Sequence, residues 1–268
     1  MTQSKTMSIL IMSCDKNIDI LLGNLKLFER FWPNCNFPVF VSVENADFKY
    51  KNVSTIKTGK LSWSDRIKKS IDSCKTDYVL FTLDDFWIEE NVDEKEIDEV
   101  LSFMKANASV SHFSFSLIPE SSTKDFVMGH YMKRSLKGHA VLTEQMGIWK
   151  SSSLLKLLKS GENPWETELY GSERAKAYRK LSLYCVDDNS HSPIRYNNGW
   201  LVVRGKWNSI EVERLEKKLG LRIDLGSRPS EPFDGSTKDS FWWKVKKKIC
   251  IIIWRARTLP FYRKKDIQ

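Results

Sequence analysis

The chain has 268 residues and a formal net charge of +9, with 41% hydrophobic and 12% aromatic residues. That apolar content fills a sizeable core in one large domain or two small ones, and it excludes general disorder. The charge is unevenly placed: residues 241–268 hold nine basic side chains (Lys244, Lys246, Lys247, Lys248, Arg255, Arg257, Arg263, Lys264, Lys265) and one acidic one, Asp266, so the body before them is close to neutral. The five cysteines (Cys14, Cys35, Cys74, Cys185, Cys250) show no zinc-like spacing, and their odd number argues against a disulfide framework. They read as reduced thiols of a cytosolic protein. Met7–Met12 is too short an apolar run for a signal peptide, and no stretch reaches the roughly 18 apolar residues of a membrane span.

In chain order, Ser8–Ser13 (SILIMS) reads as a buried strand. A helix follows, with Ile18, Leu21, Leu22, Leu25, Phe28 and Trp32 spaced by three and four, and Pro33 closes it. Pro38–Val43 is a second strand and Ser54–Lys57 a short third. Ser62 is placed to cap a helix carrying Trp63, Ile67 and Ile71, and Tyr78–Leu83 (YVLFTL) is a further strand running into Asp84-Asp85. This order predicts an α/β domain with a mainly parallel sheet. In such sheets ligands lie beyond the carboxyl ends of the strands, where both Asp15 and the Asp84-Asp85 pair fall.

The second half reads as mixed α+β. Asp93–Asn107 is helical, strands are predicted at His112–Ile118, Phe126–Met132 and Ala140–Leu142, and a helix near Ser152–Lys159. Gly161–Pro164 is a turn before a polar helix over Trp165–Tyr178; strands at Leu181–Val186 and Trp200–Val203 and a helix over Ser209–Leu219 complete the body. No linker separates the halves. The boundaries are therefore one domain over 1–235, with a nucleotide-binding half (1–110) and an acceptor half (111–235), and a tail over 236–268.

Motif searches exclude several classes: there is no GxGxxG, GxSxG or HExxH, and Gly199–Lys206 has the wrong glycine spacing for a P-loop. The four histidines are scattered singly. The sharpest feature is Asp84-Asp85. Two carboxylates at a buried strand end repel each other unless a cation intervenes, and a magnesium-like ion bridging to phosphate oxygens would relieve that repulsion. The plain alternative is a turn with a cap. Arg66 on the preceding helix could reach a diphosphate or be a solvated charge, Ser13-Cys14-Asp15 could form a loop over a nucleobase or a simple turn, and Glu166 and Glu173 could be general bases or a solvated helix face.

Six segments in collinear order, SCDKN (13–17), LSWSDRIKKSI (61–71), YVLFTLDDFWI (78–88), QMGIWKSSSLLKLL (145–158), ENPWETELYGSERA (162–175) and NNGWLVVRGKW (197–207), resemble bacterial glycosyltransferases of cell-surface polysaccharide assembly, which are similar to the GT-A fold. The resemblance spans about residues 8–210 and implies a Rossmann-like single domain. It implies a nucleotide-sugar donor, a lipid-linked or glycan acceptor, and Mn2+ or Mg2+ on the diphosphate, held by Asp84 and Asp85. The family's Asp-x-Asp is here an adjacent pair, with Thr82 where a first Asp would stand if Asp84 were the last. Glu168 or Glu166 inherits the general-base role of inverting members. Ser13, Cys14, Asp15, Arg66 and Asp84 fall to the donor, Gln145 and Trp149 to donor or acceptor sugar, and Arg204 or Lys206 to closure over the phosphates. Two other classes use similar features: a nucleotidyltransferase with the same carboxylate pair, and a non-catalytic membrane or nucleic-acid adaptor.

The tail, Phe241–Tyr262, alternates basic residues with Phe241, Trp242, Trp243, Trp254, Phe261 and Tyr262. Written on a helix, Trp242, Val245, Ile249, Ile252 and Ile253 share one face. This is the composition of an interfacial helix on anionic lipid, with residues 241–265 as the contact; docking on the body is the alternative, and nucleic acid is not expected. The implied location is cytoplasmic, peripheral on the inner face of the membrane.

Overall fold

Strand β1 (Met7–Met12) is buried along its whole length and forms the spine of the computed structural model, which describes residues 6–137, 140–178, 181–197 and 200–234. The expected amphipathic helix over 241–265 lies outside the described residues. Parallel neighbours flank β1 on both sides, β2 (Val39–Val43) and β4 (Tyr78–Leu83), and β3 (Val53–Lys57) pairs with β2. Strands covered on both faces need continuous apolar runs rather than alternation, and MSILIM and YVLFTL are such runs. Helix α1 (Ile18–Phe31) connects β1 to β2, and α2 (Trp63–Cys74) connects β3 to β4. Ser62 caps α2 by accepting from the Asp65 amide.

Beyond β4 the sheet continues through α3 (Glu94–Ala106), β5 (Val110–Ser114), β6 (Ser122–Met128), β7 (Tyr131–Arg134), β8 (Gly147–Lys150), α4 (Ser151–Leu157), α5 (Pro164–Ala175) and β9 (Ser182–Val186). The nine strands lie in the order β3-β2-β1-β4-β8-β5-β9-β7-β6. Only β8 and β7 run against the rest, so the expected α/β fold with a mainly parallel sheet is what forms. Alternate residues of β1 face opposite layers. Ile9 and Ile11 meet α1 and α3 through Leu21, Leu25, Val100 and Met104, whereas Leu10 and Met12 meet α2, α4 and α5 through Ile67, Ile71, Leu157 and Ala175. A third cluster packs α6 (Ser209–Leu219) onto the outer side of α1 through Leu215, Val212, Ile20 and Leu27. Beside it lies a small sheet of β10 (Val202–Val203), β11 (Lys206–Asn208) and β12 (Ser230–Glu231).

Two strand expectations change. The run Phe126–Met132 is not one strand but the middle of the β6–β7 hairpin, which turns at Gly129 with φ +52°. Residues 140–142 are not a strand: Arg134, fully buried, takes the carbonyls of Ala140 and Val141 with its guanidinium, so those groups are not offered to a sheet. The strand sits later, at β8, which inserts antiparallel between β4 and β5. A Cβ on Gly147 would lie 2.3 Å from the Phe113 carbonyl oxygen, so glycine is what lets β8 enter.

The turn after β4 is held from α1. Asn24, buried, donates through Nδ2 to the carbonyls of Asp84 (3.1 Å) and Phe86 (2.9 Å), and more weakly to Leu83. Substituting Asn24→Ala leaves buried acceptors unpaired and is expected to lower unfolding free energy by about 1–3 kcal/mol in urea denaturation. A neutral result would mean that the turn holds its shape without this side chain.

Candidate active site at the carboxyl ends of the central strands

The register of β1 and β4 pairs Met12 with Leu83, so Ser13 and Asp84 leave the sheet side by side at a topological switch point. The Asp84 amide donates to the Met12 carbonyl at 3.0 Å, and the Ser13 hydroxyl donates to Asp84 Oδ2 at 2.6 Å. Burial pushes the Asp84 carboxyl up to about 6; hydrogen bonds from Ser13 and Asn17 and the charge of Arg228 oppose that rise. Asp85 is raised well above the usual carboxylate range, first by burial and then by the charge of Asp84. Adjacent raised carboxyls at a strand end are groups short of positive charge. Among the described residues no three His, Cys, Asp or Glu side chains form a metal cage. The two adjacent carboxyls could serve only an oxygen-seeking ion that takes one or two carboxylates and completes its shell from phosphate and water, as Mg2+ or Mn2+ does.

Arg66 is turned inward. Its Nε donates to Thr58 Oγ1 at 3.0 Å, and Nη2 donates to the carbonyls of Ser13 and Ser42, which fastens the ends of β1 and β2 from beneath. Its placement is that of a support for the Ser13-Cys14 loop, not of a group reaching outward. Asp15 is likewise engaged: its carboxylate accepts from the amides of Glu44, Asn45 and Ala46, which hold it below the usual range against the opposing effect of burial. Cys14, half-buried beside them, has its thiol raised by burial and by Asp84.

The segment 143–146 is tied to this region through Trp63 and Tyr196. Trp63 Nε1 donates to the Glu144 carboxylate, and the guanidinium carbon of Arg66 stands 6.0 Å from the Trp63 ring centre. The Glu144 amide in turn donates to Glu168 Oε1 at 2.8 Å. Burial, followed by the charge of Glu168, raises the Glu144 carboxyl well above its usual range. Gln145 Oε1 accepts from the buried Tyr196 hydroxyl at 2.9 Å, and the Tyr196 ring packs on Phe86 with centres 5.0 Å apart. Burial raises the Tyr196 hydroxyl, and Asp85 adds to that rise. A continuous chain thus runs from Asp84 and Ser13 through Arg66 and Trp63 to Glu144 and Glu168, with Asp85, Tyr196 and Gln145 beside it.

Several expected site residues lie elsewhere or are otherwise occupied. Trp149 is fully buried and stacks on His112 with centres 3.9 Å apart, so it is core and does not face a sugar. Glu166 closes a capping box with Asn163 at the start of α5, its Oε2 accepting from the Asn163 amide. Lys206 pairs with Glu231 in the small sheet, while Arg204 occupies an exposed turn with φ +52°. Of the two base candidates, Glu168 is the one bonded to the 143–146 segment.

Sequence reasoning missed Glu144, Tyr196 and Arg228. Arg228 forks onto Asp19 with two bonds of 2.8 Å and also binds the carbonyls of Lys16 and Gly205, bringing a cation near Asp84 from a distant part of the chain. A signal was present in part: Glu144 stands directly before the QMGIW segment, one position outside the run singled out.

No protein-family model matches the chain, and no curated protein matches it. Among solved structures it is similar to S. aureus TarS 1–349, at 14% identity over 68% of this chain and 60% of that one, with a TM-score of 0.45. The TarS 1–349 complex with UDP gives the same identity and coverage and a TM-score of 0.46. The bifunctional IspDF from Campylobacter jejuni is 14% identical over 70% of this chain and 51% of that one, with a TM-score of 0.38. The chain spans 60% of the length of TarS 1–349. At these scores the likenesses are partial, and the chemistry rests on the residues described above.

The raised Asp84 carboxyl has a consequence for pH. An acid whose pKa rises on folding stabilises the fold in its protonated form, so its contribution is complete below about 3.8 and lost as pH climbs through about 6. Across pH 4–7 the wild type is therefore expected to lose on the order of 3 kcal/mol more stability than Asp84→Asn. Urea midpoints measured at several pH values check this; equal slopes in the two proteins would remove the buried-acid assignment.

Proposed function

We propose that the protein is a nucleotide-sugar-dependent glycosyltransferase, with Asp84-Asp85 at the donor diphosphate and Glu168 as the general base. The observation that carries this reading is the carboxylate pair itself: Asp84, buried and bonded to Ser13, with Asp85 beside it at the switch point of a mainly parallel sheet, and a second carboxyl pair, Glu144 and Glu168, linked back to Ser13 through Trp63 and Arg66. Ser13 and Cys14 line the donor end, and Gln145, fixed by Tyr196, borders the transferred sugar.

The transfer is an inverting displacement. Glu168 accepts the proton of an acceptor hydroxyl as that oxygen bonds to the donor C1. The bond from C1 to the diphosphate oxygen breaks, and the nucleoside diphosphate leaves with the electron pair. Carboxylate bases of this kind contribute about 10²–10⁴ in rate. Mn2+ or Mg2+ held by Asp84 and Asp85 would supply positive charge at the leaving group, where the electrostatic demand is greatest. Arg228, near Asp84, adds to the local positive potential.

The resemblance of the six segments to cell-surface polysaccharide enzymes supports a lipid-linked or glycan acceptor. The basic, aromatic tail over 241–265 supports attachment to an anionic membrane surface at the cytoplasmic face. No described helix is long and apolar enough to cross a membrane.

Thermal shift and hydrolysis across UDP-, GDP-, CMP- and dTDP-sugars, with Mn2+ or EDTA, test the donor assignment. One nucleotide is expected to stabilise the wild type in a Mn2+-dependent way and to leave Asp85→Ala unmoved. No response to any nucleotide would favour the non-catalytic alternative. With an active donor, Glu168→Gln is expected to lose about 10² or more in kcat while nucleotide binding persists; near-wild-type transfer would move the base elsewhere. Deleting 241–268 is expected to shift the protein from the membrane to the soluble fraction without loss of donor hydrolysis, and retention on the membrane would dismiss the tail's role.

A further inference from the structure

The start of α5 presents a large apolar side chain to solvent beside the carboxylate crevice. Trp165 is 79% exposed, the highest value among the large hydrophobic side chains of the described residues, and Leu61, which precedes the Ser62 cap of α2, is 47% exposed. An indole left in water forgoes the burial that usually places tryptophan inside. The backbone beneath it is not loose: Pro164 opens α5, and the Asn163–Glu166 capping box closes its first turn on both sides. The neighbouring loop is tied to α2, with the Gly161 amide donating to Ser62 Oγ and the Glu162 amide to Ser64 Oγ. Trp165 is therefore an exposed ring on a rigid mount.

Its position in α5 sets its neighbours. Trp165 and Glu168 are three residues apart and share a helix face. Glu168 accepts from the Glu144 amide, and the Glu144 carboxylate accepts from the Trp63 indole. One indole, Trp63, is thus bonded to this pair of carboxyl groups, and the other, Trp165, stands one helical turn from Glu168 on the same helix. A pyranose has an apolar face of C–H groups that packs on an aromatic ring, and a rim of hydroxyls that donate to carboxylates. Glu168, in the carboxylate form a general base requires, selects against an anionic sugar, because like charges there are unfavourable.

We propose that Trp165, Trp63, Glu144 and Glu168 form the acceptor subsite, and that it takes a neutral pyranose residue with the sugar's apolar face on Trp165. This deepens the glycosyltransferase reading and rests on it. The ring positions the acceptor so that one hydroxyl meets Glu168, and Glu144 fixes the orientation through a neighbouring hydroxyl.

The test uses the full chain labelled with 5-fluorotryptophan, titrated with the methyl glycosides of glucose, galactose, mannose, N-acetylglucosamine and glucuronic acid, with and without UDP and Mn2+. The Trp165 fluorine resonance is assigned by its loss in Trp165→Phe. At least one neutral glycoside is expected to move that resonance saturably, in the wild type and in Asp85→Ala alike, while the glucuronide does not. With binding followed instead by the Trp63 fluorine resonance, Trp165→Ala is expected to weaken the dissociation constant about tenfold or more, and Trp165→Phe to keep most of the affinity. Glu144→Gln should weaken it also, with an unchanged urea midpoint confirming that the fold is intact; if Glu144→Gln does not fold, the Trp165 pair of variants decides. No movement with any neutral glycoside under either condition overturns the subsite, as does an equal response to the glucuronide. Nucleotide-dependent thermal shift run on the same samples separates the two readings: a nucleotide response without a glycoside response removes this subsite alone.

Discussion

The hydrogen bond from Ser13 to Asp84 joins the ends of two neighbouring parallel strands and places a carboxylate in the interior of the fold. The rest of the site is built around that bond. Arg66 holds the carbonyls of Ser13 and Ser42 together from below, Asn24 gathers the carbonyls of the following turn from α1, and Asp15 caps the loop after β2. Each of these polar groups is one that burial would penalise if it were left alone. Together they fix the carboxyl ends of β1, β2 and β4 as one rigid rim. The strands bring the apolar energy of folding, and this polar layer decides where their ends point.

Acidity in the crevice follows from the same arrangement. Asp84, Asp85 and Glu144 all have raised carboxyls, burial being the first cause in each case and a neighbouring carboxyl a further one. A fold that buries Asp84 and Asp85 side by side holds a local shortage of positive charge. Arg228, fastened to Asp19 and to the backbone of Lys16, answers part of it from the far end of the described chain. The body therefore has its own electrostatic logic, separate from the basic tail that dominates the net charge.

Much of the first half was legible because its signals are local. Continuous apolar runs marked β1 and β4, the three-and-four spacing marked α1, and Ser62 marked the start of α2. The second half was read less well for a physical reason. β8 is four residues long and buried, so it has neither the length nor the alternation that betrays a strand, and its entry depends on Gly147 passing close to β5. The β6–β7 hairpin sits at a sheet edge, where exposed residues weaken the pattern. Trp149 illustrates the same limit in the site: an aromatic beside a promising motif has no intrinsic orientation, and the sheet turned it onto His112 in the core.

By itself the sequence determined the fold class and the place of the carboxylate pair, because strand hydrophobicity and the residues that end a strand are properties of short segments. The resemblance of the 162–175 segment pointed to Glu166 and Glu168 without choosing between them. Only the tertiary structure tells their surroundings apart. Glu166 is consumed by a local capping box, whereas Glu168 meets Glu144 from a segment 24 residues away. The same holds for Asp15 and Arg66, whose roles were set by amides and carbonyls that reach them only when β1 and β2 lie side by side. Which polar group faces the crevice and which is spent on the backbone is decided by long-range pairing, and no local pattern carries that information.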